Sequence, residues 1–299
     1  MVLTILLVSL TLCALGLLTL ILRTAHSVGQ LKPRVEAMGL GLVTNFFDTL
    51  GIGSFAPSIV YMRARKLVPD KLLPMTMLAG YTPPSILQGI IFLILLGLHV
   101  DPVLLVGCSI AMITGGWVGA AIAPRCHVRI VQAIVAGALL MAALFYSLSN
   151  LGLMPLGGTA NSLPPLLTVI TIALNFALGI LLNFGVGNYA PTLAMVSLFG
   201  MDPRLAFPIM ASAAGFAGTA ASARLVKTAG LDLRIVIGLT LGAIPGVLVA
   251  AFIVKEMPLE ILRWLVVVVV VYAALTLIHS ALTRKEPALT LEQEAVEAA

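Results

Sequence analysis

Apolar runs of about twenty residues recur along this chain, each long enough to cross a bilayer as a helix. That recurrence removes most soluble folds. Of 299 residues, 60% are hydrophobic and 10% charged, where a soluble domain carries about 25% charged residues. No charged surface can be drawn all round such a chain. The formal charge of +5 does not mark a nucleic-acid partner, because the lysines and arginines sit between the apolar runs, where topology signals belong. The partner that composition implies is the lipid bilayer. Residues 1–23 read as an extra, retained first helix: the run lacks a basic leading segment, and Leu12 stands where a cleavage site needs a small residue. Residues 284–299 read as a polar tail. Cys13, Cys108 and Cys126 lack metal-type spacing and read as small apolar thiols. The four histidines lie near span edges, so no metal and no cofactor is expected.

A duplication organises the rest. The motif GIGSFAP at 51–57 returns as GVGNYAP at 185–191, an offset of 134 residues. At the same offset Pro69 matches Pro203 and Pro74 matches Pro208, so six identical pairs align without a gap. Two homologous halves follow, residues 35–149 and 165–280.

Charge gives the topology. Connections rich in lysine and arginine occur at 23–34, 63–71, 125–129, 224–234 and at the start of the tail. Those at 99–101, 150–163, 200–204 and 255–263 are poor. The positive-inside rule puts the rich set in the cytoplasm. Residues 35–62 then start and end on the cytoplasmic side, and 164–200 start and end outside. Each segment must enter and return, with its turn at the glycine motif. The expected fold is therefore an all-α polytopic membrane protein with inverted structural repeats. Each repeat is a re-entrant broken-helix hairpin plus three transmembrane helices, giving seven crossings with the first helix. The N-terminus lies outside and the C-terminus inside. Inverted repeats with broken helices are a transporter pattern, with the site at the repeat interface.

The breaks have a chemical use. Gly51, Gly53, Gly185 and Gly187 permit a turn and leave backbone amides approachable. Ser54 and Asn188 are good N-cap residues for the helices that follow. Pro57 and Pro191 fall in the first helical turn, where a missing donor costs nothing. Two helix starts facing the membrane interior, each with unpaired amides and a partial positive charge, suit an anion without any arginine inside the bilayer. A single Gly-x-Gly would instead mean close helix packing; the duplication favours the site.

Asp48 is the acid well inside an expected span, and such a residue is a functional hypothesis by default. Two readings stand: a proton-carrying group, or a carboxylate that caps amides at the turn. Asn45, Thr49, Asn175 and Asn183 add polar groups on the hairpin arms, Thr82, Ser85 and Gln88 on the helix after the first hairpin, and Ser212, Thr219 and Ser222 on its repeat partner. Each alone reads as a helix-packing hydrogen bond; their gathering near the two turns makes Asn45, Thr49, Asn183, Thr82 and Ser212 substrate-binding candidates. Phe55 and Tyr189 either wall the site or simply pack.

The stretches NFFDTLGIGSFAPS, KLVPDKLLP, GVGNYAPTLAMVSLFGMDPRLAFPIM and IPGVLVAAFIVKEMPLEILRWLVVVVVVY resemble the TauE/SafE family of sulfite and organosulfonate permeases. The resemblance implies an inner-membrane transporter of sulfur oxyanions such as sulfite or sulfoacetate. Many members carry a glycine run after the first Gly-x-Gly, where this chain has Ser54-Phe55. An inside-negative potential, worth about 2.3 kcal/mol per charge per 100 mV, drives a monovalent anion outward, so export is the economical direction. Proton-coupled uptake and an anion channel are the alternatives, and a homodimer is one assembly open to such a protein. No His-Glu-x-x-His, Gly-x-Ser-x-Gly or acid pair at catalytic spacing points to an enzyme.

Overall fold

A computed structural model describes residues 2–69, 72–96, 100–122, 128–153, 158–182 and 186–283. Among these the chain is helical, with eleven α-helices: α1 Val2–Ser27, α2 Val35–Thr49, α3 Phe55–Ala64, α4 Leu73–Leu95, α5 Pro102–Ile122, α6 Val128–Asn150, α7 Pro165–Leu182, α8 Tyr189–Leu198, α9 Ala206–Thr228, α10 Leu233–Glu256 and α11 Leu259–Thr283. Eight of them are long and apolar enough to cross a membrane, all but α2, α3 and α8. The protein is therefore a multi-pass membrane protein. The count exceeds the expected seven by α7, the first arm of the second hairpin. Its 18 residues reach about 27 Å at 1.5 Å per residue, close to the ~30 Å hydrocarbon core. The 10-residue α3 and α8 reach about 15 Å and cannot cross.

The two hairpins share a hydrogen bond at their turns and the bounds of the short helices that follow. In the first, α2 ends in a Schellman motif: Gly51, at φ +97°, donates its amide to the Asp48 carbonyl, and Ile52 donates to the Phe47 carbonyl. In the second, the amide of Val186 donates to the Leu181 carbonyl, the same bond 134 residues on. The helices after the turns, α3 and α8, start and stop at that offset. Each ends in a left-handed residue, Lys66 and Gly200, with matching Schellman bonds.

The packing follows from small residues. The most buried long helices are α4, α9 and α10, and the least buried α1, α6 and α7. At the centre α4 crosses α9, where a Cβ on Gly89 would meet the Ser212 backbone at 3.2 Å and one on Gly215 the Ile86 Cα at 3.2 Å. The first arm of each hairpin lies along the second long helix of the opposite half, α2 on α10 and α7 on α5. These two pairs are also glycine-mediated: Gly242 faces the Met38 carbonyl, Gly246 that of Leu42, Gly115 that of Phe176 and Gly179 that of Met112. Exchanging the halves maps α2·α10 onto α7·α5 and α4·α10 onto α9·α5, and leaves α4·α9 and α6·α11 unchanged. Helix α1 packs on α4 and α9, outside this scheme.

Pro83 and Pro84 lie inside α4. A proline removes the bond to the carbonyl four residues back, so Pro84 frees the Gly80 carbonyl. Thr240 of α10 supplies the missing donor, Oγ1 to Gly80 O at 2.8 Å. The kink-prone helix is thereby closed from its neighbour.

Gly242→Ala should lower thermal stability in detergent by about 1–3 kcal/mol, the cost of overpacking a tight contact. Gly137→Ala, in the open on α6, should hold or raise it. Equal melting temperatures for the two variants would contradict the glycine-mediated α2–α10 contact.

Candidate functional site

The two repeated turns meet around α4. Asp48, on the last turn of α2, is buried at 7% exposure. Its carboxylate lies against Ser54, at the start of α3, and accepts from Gln88 of α4, Nε2 to Oδ2 at 3.2 Å. Gln88 is fully buried and donates a second bond to Thr49 Oγ1 at 2.8 Å. At its other end the Gln88 carbonyl accepts from the Tyr189 hydroxyl at 2.6 Å. Tyr189 opens α8, with Ser85 of α4 beside its hydroxyl. A single buried chain, Asp48–Gln88–Tyr189, thus joins the end of α2 to the start of α8. The donors that face Asp48 here are neutral. A Cβ on Gly51 would stand 3.5 Å from Leu193 of α8 and Val269 of α11, so the first turn lies directly against the second half.

A second hydroxyl chain holds α3. Tyr81 of α4 bonds to Thr44 Oγ1 at 3.0 Å and Ser58 Oγ at 2.6 Å, and Ser58 donates to the Ser54 carbonyl at 2.6 Å. Phe55 stacks edge-on against Tyr81, with centroids 6.1 Å apart, and keeps 43% exposure. At the far end of the hairpin Glu36 accepts from Arg65 at 2.7 Å and Tyr61 at 3.1 Å.

Several expected residues fall elsewhere than the sequence suggests. Ser54 and Asn188 stand at the N-cap positions, but neither side chain caps its helix. Ser54 lies against the Asp48 carboxylate. Asn188 donates instead to the Met210 carbonyl of α9 at 3.0 Å, which anchors α8 on α9. Thr82 bonds to Ser222 at 2.7 Å and to the Leu78 carbonyl, within the α4–α9 seam. Ser212 returns its hydroxyl to the Pro208 carbonyl of its own helix. Asn45 is fully buried and donates to the Gly41 carbonyl at 3.1 Å, while Thr49 donates to the Asn45 carbonyl at 2.7 Å. Gly53 has φ +93° and Gly187 is exposed, each with open space where a Cβ would sit. Asn183 and Gly185 lie outside the described residues. Gln88, which the sequence offers as one more polar group on the helix after the first hairpin, stands at the centre of the chain.

The hairpins differ in their surroundings. Every residue of α8 from Thr192 to Ser197 is buried, and the helix packs on α6, α9 and α11. Helix α3 buries only Ser58 and Met62, packs chiefly on α4 and α2, and leaves Val60 70% exposed. The first turn has an acid against its helix start, whereas the position equivalent to Asp48 in the second half is Leu182.

No protein-family model, curated protein or solved structure matches the chain.

Gly53→Ala places a side chain at positive φ, which costs about 1–2 kcal/mol for an L-residue. Its melting temperature should fall, while Gly187→Ala, at a position without that strain, should stay within about 0.5 kcal/mol of wild type. An unaffected Gly53→Ala would contradict the turn geometry.

Proposed function

We propose that the protein is a secondary transporter of the TauE/SafE type. It exports a small sulfur oxyanion, sulfite or an organosulfonate such as sulfoacetate, across the inner membrane. The observation that carries this reading is the Asp48–Gln88–Tyr189 chain, a polar bridge buried in an apolar protein between two repeated glycine turns. Polar groups of this kind are costly among apolar helices and mark a ligand path. The half-exchanging contacts of α2 with α10 and α7 with α5 support two repeats of opposite orientation in the membrane. Substrate lies between residues 51–57 and 185–191. Because the Asp48 carboxylate stands against the start of α3, the start of α8 supplies most of the attraction for the anion. Tyr189 supplies a hydroxyl beside it.

Membrane potential, inside negative, drives the charged substrate outward without a coupled ion. A carboxylate held by the neutral Gln88 amide acts as a structural part of the turn, in keeping with export. The second reading, proton-coupled uptake, rests on the burial of that same carboxylate.

Proteoliposomes loaded with sulfite or sulfoacetate should lose the anion when an inside-negative potential is imposed. Gly187→Val should abolish that flux with folding intact, because a side chain fits there and covers the α8 amides. Failure of the wild type to carry any sulfur oxyanion, or wild-type flux in Gly187→Val, contradicts the reading. Asp48→Asn separates the directions: export predicts that its surviving flux keeps the wild-type pH profile, and proton-coupled uptake predicts a flattened one.

A further inference from the structure

The buried chain has a direction. The Gln88 NH2 faces Asp48 and also reaches Thr49. The Gln88 carbonyl is then fixed on the opposite side, and the Tyr189 hydroxyl must spend its one proton on it, at 2.6 Å. In the resting molecule the hydroxyl nearest the start of α8 therefore has no proton left for a ligand. The same bond ties α8 to α4, and through Gln88 to the end of α2.

We propose that Gln88 is the lock of the empty site: an entering oxyanion takes the Tyr189 proton away from the Gln88 carbonyl and so uncouples α8 from α4 and α2. The proposal rests on the transport reading above and deepens it, because the lock also selects the ligand. The anion must outbid a neutral amide carbonyl for one O–H donor. Hydrogen bonds to an ionised acceptor are roughly twice as strong as neutral ones, so a sulfonate or sulfite oxygen succeeds where an uncharged sulfone or amide of the same shape fails. Gln88 is a positioning residue in this scheme. It holds the donor in reserve and does not touch the substrate.

The test is the concentration dependence of isethionate flux in proteoliposomes. Gln88→Met removes both ends of the amide at similar length and releases the tyrosine hydroxyl. The KM for isethionate should fall by about two- to tenfold, the worth of one hydrogen bond. Tyr189→Phe should raise KM. In the double variant the gain from Gln88→Met should vanish, leaving the KM of Tyr189→Phe alone. A merely structural glutamine gives a different pattern, in which Gln88→Met raises KM, or shifts it by one factor with or without the tyrosine hydroxyl. Either result overturns the lock.

A second measurement leaves Gln88 in place, should its replacement prevent folding. A fluorotyrosine at position 189 should shift its fluorine resonance saturably as isethionate is added, and should not respond to dimethyl sulfone. A resonance unmoved at concentrations that saturate flux overturns the proposal. A wild type that moves no sulfonate overturns both this proposal and the transport reading. Flux with independent effects of the two substitutions overturns the lock alone.

Discussion

A bilayer core offers no hydrogen-bond partner to a peptide group, so each break in a helix of this protein has to be closed from within. Three devices do so. Where Pro84 frees the Gly80 carbonyl, Thr240 reaches over from α10. Where α2 stops, a glycine in the left-handed region returns the amides of residues 51 and 52 to the last turn. Where α3 starts, the Asp48 carboxylate lies against Ser54. The third device is the costly one, because it brings a carboxylate into an apolar protein. Gln88 offsets that cost with a donor and carries the chain on to Tyr189. The candidate site is thus the consequence of how one helix break is satisfied.

The two hairpins solve the same problem differently. Their turns and short helices match in sequence at one offset, yet α8 is sealed among α6, α9 and α11 while α3 stands largely free of them. An acid precedes the first helix start, at a position that is Leu182 in the second half. The α3 hairpin is fastened by hydroxyl contacts to Tyr81 and by the Glu36–Arg65 ion pair. An exposed ion pair of this kind contributes little to stability.

Much of this was legible in the sequence, because the signals were local. The duplicated glycine turns, the prolines at matching offsets and the charge-poor spans place helix ends within a few residues of where α2, α3, α7 and α8 begin and stop. The pairing of side chains was not legible, because it depends on helical phase and on which helix lies opposite. Thr82 and Gln88 both read as polar groups on one apolar helix. Six residues set them about 120° apart around it, so one meets Ser222 of α9 and the other meets the hairpin turn. Ser54 and Asn188 have the right chemistry for caps, but a stronger acceptor and a nearby carbonyl redirect them. The tight α2–α10 contact was likewise hidden, since a stripe of glycines does not name its partner.

The central claim is that the two halves lie in the membrane with opposite orientation, and equivalent residues test it most directly. Arg65 and Phe199 terminate α3 and α8 at the same place in the repeat. Single cysteines, Arg65→Cys and Phe199→Cys, placed in a chain without its three native cysteines, can be challenged in cells with a membrane-impermeant thiol reagent. Inversion predicts that Phe199→Cys reacts from outside and that Arg65→Cys reacts only once the cytoplasmic face is opened. Labelling of both from the same side would contradict the inverted repeat and the opposed-hairpin site built on it.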